Sequence, residues 1–287
     1  MGFLRALLPS IGSFFAFVLG MLCIFAGNQR QVLPQADLVT LYTHGAGGDG
    51  APDFFSVYTM SYCTGFQNTS DSKNTTTTED RLVDCSNWGV QFVFNPAKAI
   101  LKAVGDPSGT LSPDTWPSCI TDDFEALQLT NSTMVVLLML GTAAAAVAIG
   151  IRIWSIAFAR ALGRRGSPTY PGHSGAHFEF DNPPTPPEIV AFFVSVLGLG
   201  IGSVIASVIA TEFVKLINTS GNAHGVSATG GSTFLGLAWT ATVLQVLGMT
   251  DIMVSAIKSR NEPCWCDLDE RASLTESPEQ KPLVGSD

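Results

Sequence analysis

Four apolar stretches, each about as long as a bilayer is thick, lie near residues 6–26, 133–153, 189–210 and 233–254. A hydrocarbon core of roughly 30 Å takes about 20 apolar helical residues to cross. No water is available there, so each stretch must close its own backbone hydrogen bonds, as a helix does. The chain therefore reads as an integral membrane protein. Residues 1–26 hold a cytosolic N-terminus and the first span, and 27–131 form a large outer loop. The second span is 132–154, followed by a Pro-rich cytosolic loop at 155–188. The third span (189–210), a short outer loop (211–232), the fourth span (233–254) and an acidic cytosolic tail (255–287) complete the chain. A cleaved signal peptide is the rival for the first stretch, because Phe25-Ala26-Gly27 is a tolerable cleavage site. The apolar run from Ala6 exceeds a usual signal-peptide core, so a retained helix is expected.

Charge sets the orientation. Arg152, Arg160, Arg164 and Arg165 lie in or just before the 155–188 loop, Lys258 and Arg260 follow the fourth stretch, and Arg5 precedes the first. Only Lys215 lies between the third and fourth. Basic flanks mark the cytosolic side, which puts both termini inside. Loop 27–131 carries twelve acidic side chains against five basic ones, and the whole chain has a net charge of −9. That balance argues against nucleic acid as a partner. Sequons at Asn68, Asn74, Asn131 and Asn218 all fall in outer segments. Asn68 and Asn74, on a polar excursion, are the glycosylation candidates.

Within the outer loop, 54–63 and 88–94 are rich in aromatic and β-branched residues and are expected to be strands, with 38–43 as a third. Val90, Phe92 and Phe94 would share one face. Pro96 opens a short helix with Ala97, Ile100, Leu101 and Val104 as its apolar stripe, and Lys98 and Lys102 on the wet side. Thr121, before Asp122 and Asp123, has the composition of a helix cap. The polar, Thr-rich run 67–79 is expected to be a hairpin tip or a disordered excursion, and 45–50 a glycine-rich linker. A Cys63–Cys85 bridge would close the excursion at its base, although Cys119 leaves other pairings open.

The run Tyr62-Cys63-Thr64-Gly65, a polar insert, Cys85 and then Phe92-Val93-Phe94-Asn95-Pro96 resembles the outer loop of the fungal Sur-seven/PalI family. The layout of spans, loops and tail is similar across nearly the whole chain. That resemblance implies a claudin-like fold: an all-α transmembrane four-helix bundle with a small disulfide-bonded, β-containing extracellular cap. Trp88-Gly89 does not reproduce the fuller signature of animal claudins, so no junction-forming role is transferred. One branch of the family populates static plasma-membrane domains, eisosomes, at the fungal cell cortex and affects cell-wall organisation and endocytosis. The PalI branch assists an ambient-pH sensing complex and typically carries a longer polar tail, so the tail here favours the first branch. The partners implied are membrane lipids, other cortical membrane proteins and further copies of the chain.

Between helices in lipid, close packing depends on small residues. Gly198, Gly202, Ala206 and Ala210 form such a ladder, with Thr142, Ala146 and Gly150 on the second span and Gly12, Ala16 and Gly20 on the first. Packing within one bundle is preferred to self-association. Arg152 and Asp251, near the inner ends of spans two and four, are candidates for an intramembrane ion pair. No charge occupies the centre of a span, which disfavours a transporter or proton relay.

On the cytosolic side, 183–187 is expected to be a stiff, extended Pro-rich spacer. His173, His177 and Glu179 belong to a Gly/Pro-rich segment that cannot hold them on one face, so no metal site is expected. Cys264 and Cys266, beside Trp265, are candidates for S-acylation, with unmodified thiols as the alternative. No catalytic constellation, cofactor site or small-molecule substrate site is legible. The chain is expected to be an organiser of membrane domains rather than an enzyme.

Overall fold

The computed structural model describes residues 2–28, 33–43, 51–72, 75–89, 118–165, 184–221 and 225–261, with 92, 94, 95, 98, 99 and 102 between them. Four helices carry the fold: α1 (Gly2–Phe25), α2 (Ser118–Arg165), α3 (Pro186–Gly221) and α4 (Ser232–Asn261). α2 and α4 each pack on both α1 and α3. Their outward faces are apolar, with Phe14, Phe193, Val208, Val243 and Leu247 exposed. Lipid accepts a surface of that kind and water does not. The segments Thr130–Ser155, Pro186–Gly221 and Ser232–Lys258 are long and apolar enough to cross a membrane. Three of the four expected spans are thus met. In α1, the apolar stretch with described side chains, Ser10–Phe25, is shorter.

At one end of the helices sits an antiparallel sheet of β1 (Val39–Tyr42), β2 (Phe54–Val57), β3 (Tyr62–Ser72), β4 (Thr75–Cys85) and β5 (Ser227–Gly230). Its spatial order is β4-β3-β2-β1-β5. β5 comes from between α3 and α4 and pairs with β1, Val39 opposite Gly230. The two loop regions therefore build one cap. The main core cluster runs through cap and helices, joining Leu41, Phe55 and Met60 to Ile24, Leu138, Phe213 and Phe234.

The sheet departs from expectation in three places. The 54–63 run is two strands, not one. β2 stops at Val57, Tyr58 N–H donates to Ser61 O at 2.8 Å, and β3 starts at Tyr62. The turn forms because Tyr58, Thr59, Met60 and Ser61 are all buried against α1 and its exit segment. The partner of β3 is β4, which starts inside the polar run, and not 88–94. Threonine favours extended backbone, and ladder hydrogen bonds need no apolar face. The described residues of 88–94 lie outside any strand; Gly89 N–H donates to Met60 O at 3.1 Å. Phe92 nevertheless stacks on Tyr62 at a ring distance of 5.9 Å, and Phe94 meets the same ring tilted at 5.5 Å.

The helix ends also differ. α2 starts at Ser118, before the expected cap at Thr121. α3 starts at Pro186, so the last two prolines are its first turn rather than an extended spacer. Proline fits there because the first turn's N–H groups have no intrahelical partner to lose. Lys98, Ala99 and Lys102 are helical, and Asn95 caps them, accepting from Lys98 N–H at 3.0 Å. Ala97, Ile100, Leu101 and Val104 lie outside the described residues.

Candidate functional site

The cap is wired to α1 through the β2–β3 turn. A helix leaves its last four carbonyls without intrahelical partners. Here Thr59 Oγ1 donates to Cys23 O at 2.8 Å and Ser61 Oγ to Gly27 O at 2.9 Å, both buried. Gly27 takes φ +72°, the left-handed exit favoured after a helix, and a Cβ there would strike the Tyr58 ring. Tyr58 Oη donates to Pro34 O at 2.8 Å. Burial, reinforced by the nearby Asp37 charge, pushes the Tyr58 phenol upward in pKa and keeps it a donor.

Behind the turn, Cys63 and Cys85 sit opposite each other in register and are disulfide-bonded, Cα to Cα 4.0 Å. The bridge closes the base of the β3–β4 hairpin. Asn68 lies in β3, while its side chain and all of Asn74 fall outside the described residues. Asn218 is a structural pin: its Nδ2 donates to Ala228 O at 3.0 Å, and its Oδ1 accepts from Ala228 N–H at 2.8 Å. Asn131 Nδ2 reaches Phe92 O at 3.4 Å.

Between the helices, the α3 ladder faces inward. A Cβ on Gly198 would come within 2.7 Å of the Gly141 backbone, and one on Gly202 within 2.8 Å of Leu138 Cδ2. Ala206 and Ala210 are buried. Ser195 Oγ donates to Gly141 O at 2.8 Å, and Ser203 pairs with Thr242 at 3.0 Å. On α2 the close contact with α3 is Gly141, continued by the buried Ala145 and Ala148; of the expected row, Thr142 is buried against Gly20 of α1, whereas Gly150 meets nothing. A spacing of four residues drifts by about 40° per step around a helix, which carries Gly150 off the interface.

The expected Arg152–Asp251 pair is not formed. Arg152 instead binds Glu188 at 3.2 Å, with side-chain exposures of 13% and 1%. Glu188 also accepts from Thr185 N–H at 3.3 Å, and Asp251 is exposed. The reason is adjacency: α2's packing neighbours are α1 and α3, and the α3 start delivers Glu188 to Arg152. Thr185-Pro186-Pro187-Glu188 has the Thr-x-x-Glu spacing of a capping box, the signal that could have placed Glu188 inside the helix. Cys264, Cys266, His173 and His177 lie outside the described residues, as does the side chain of Cys119.

These features define a multi-pass membrane protein whose cystine-linked sheet is spliced onto packed apolar helices, a layout that fits a claudin-like membrane fold. A family model described as the SUR7/PalI family matches residues 5–249, and the chain belongs to that family. No curated protein matches the chain.

Proposed function

We propose that this protein is a non-catalytic organiser of static, eisosome-type domains in the plasma membrane at the fungal cell cortex, supporting cell-wall organisation and endocytosis. In this proposal α1 is the fourth span. Its 24 residues extend about 36 Å at 1.5 Å each, enough to cross. Loss of α1 by cleavage would strip Thr59 and Ser61 of their buried acceptors and open the α1–α4 contact. Both termini then face the cytosol and the cap faces outside, in keeping with the arginines at 152, 160, 164 and 165.

The observation that carries this function is the splice between cap and helices. Buried hydroxyls and a shared core join the outer sheet to the membrane helices, and the cystine ties β3 to β4 within the sheet. A cap joined in this way to helices with a lipid-facing apolar surface suits a fixed place in a membrane domain. Glycans on Asn68 and Asn74, acyl chains on Cys264 and Cys266, and contacts with lipids, other cortical membrane proteins and further copies would complete the assembly.

Photobleaching of a fluorescent fusion tests this. Immobile cortical puncta that persist when external pH changes are expected. Dispersed, mobile signal, with loss of the alkaline response on deletion, would instead assign the chain to the pH-sensing accessory role.

A further inference from the structure

We infer that the interior of the helix bundle binds a water molecule between α1 and α4, held by the side chains of Ser13 and Gln245. The inference goes beyond the organiser function and shares with it only the retention of α1 as a span.

Gln245 is wholly buried, and neither Nε2 nor Oε1 of its amide has a hydrogen-bond partner. Ser13 is also wholly buried, and its Oγ has no partner either. The α1–α4 contact brings the two to one level. A Cβ on Gly12 would lie 3.5 Å from Leu244 O, and Ser13 and Gln245 are the next residues on the two helices. Around α4, at about 100° per residue, Gln245 falls between Thr242, which pairs with Ser203 of α3, and Leu244, which meets Gly12 of α1. Its side chain therefore points into the bundle. Ser13 shares the inward face of α1 with the buried Ala16 and Gly20. Both lie roughly 20 Å along their helices from the cap end, at about 1.5 Å per residue.

A buried amide without hydrogen bonds is heavily penalised, and the membrane interior offers it none. The Gln245 amide presents two N–H donors and a carbonyl acceptor, more than one serine hydroxyl can meet. Ser10 Oγ, three residues inward on α1, is a further buried hydroxyl without a partner. Thr142, Ser195, Ser203 and Thr242, by contrast, are already bonded to backbone carbonyls or to each other. Lipid headgroups and a second copy of the chain cannot touch a side chain with no exposed surface. Water both donates and accepts, and a buried water typically makes about three hydrogen bonds to groups that otherwise have none. Small neighbours suit it: Ala16 on α1, and Ala241 and Gly248 one turn either side of Gln245. The water then accepts from Nε2 or donates to Oε1, and its remaining capacity meets the Ser13 hydroxyl.

The test uses the full-length protein in nanodiscs with isotope-labelled glutamine side chains and reads magnetisation transfer from water to the amide. Gln245 is the one glutamine inside the four apolar stretches, so Gln245→Leu identifies its signal by loss. Transfer to this amide is expected, and it should persist when a paramagnetic chelate silences bulk water. Ser13→Ala should reduce it about twofold or more, as expected for the loss of one hydrogen bond. Ser13→Thr keeps the hydroxyl, should retain the transfer, and controls for misfolding. The inference is overturned if the parent shows no transfer, if the chelate abolishes it, or if Ser13→Ala matches the parent. None of these failures bears on cortical immobility, which imaging reads separately; loss of α1 by cleavage would show as a shortened chain on a gel.

Discussion

The hydroxyl of Thr59 donates to the carbonyl of Cys23 at 2.8 Å, so a turn of the cap closes the end of the first helix. The residues are 36 apart in sequence, and both groups are buried. Thr59→Val keeps the shape but removes the donor, leaving a buried carbonyl unpaired at a cost of about 1–3 kcal/mol. Thr59→Ser keeps the donor and should stay much closer to the parent. Thermal melts of the full chain in detergent should separate the two; equal melts would show that the turn does not seat on α1.

The Cys63–Cys85 bridge spans a sequence separation of 22 residues. Closing a loop of that size restricts the unfolded chain and stabilises the fold by roughly 3 kcal/mol. A Cys63→Ser/Cys85→Ser double variant should melt lower and lose the mobility difference between reduced and non-reduced gels. Retention of that difference would mean that the cap uses another pairing.

The legible parts were those that obey a period or a length. The lengths of apolar segments located α2, α3 and α4, and the β-branched run 39–42 located β1. Cys63 and Cys85 were legible as the base of a closed excursion. What escaped notice depends on partners distant in sequence. The 54–63 run looks like one strand until α1 offers Cys23 O and Gly27 O to its hydroxyls. β5, only four residues long, is a strand because β1 has an edge to share. The polar composition of 67–79 leaves a hairpin tip and a disordered excursion equally open; the hairpin forms, held by ladder hydrogen bonds and a cystine. Glu188 reads as loop because two prolines precede it, although its spacing from Thr185 carries a capping signal.

Gly198 and Gly150 make a matched pair of tests. A Cβ at Gly198 would lie 2.7 Å from Gly141 Cα and N, backbone that cannot swing aside. Gly198→Ala should therefore force α2 and α3 apart and cost about 1–3 kcal/mol. At Gly150 nothing lies within 4 Å of the added carbon. Gly150→Ala should be neutral or stabilising by up to about 1 kcal/mol, through helix propensity. Unfolding midpoints in detergent check both, and equal effects would remove the α2–α3 contact from the account.

The Arg152–Glu188 pair makes the sharpest prediction, because a different partner for Arg152 was plausible from the sequence. Glu188→Gln keeps an oxygen for Thr185 N–H but leaves the Arg152 guanidinium almost wholly buried without its counter-charge. Breaking a buried pair from one side costs about 3–5 kcal/mol. Asp251 is exposed, so Asp251→Asn should move stability by no more than about 0.5 kcal/mol. Replacing both partners, Arg152→Met with Glu188→Leu, should recover most of the loss, since apolar residues of similar volume often match a buried ion pair. Folded yield and melting temperature of the four proteins decide the matter. If Asp251→Asn proves the damaging change and Glu188→Gln the silent one, then Arg152 pairs across to α4 in the membrane and the α2–α3 pairing is wrong.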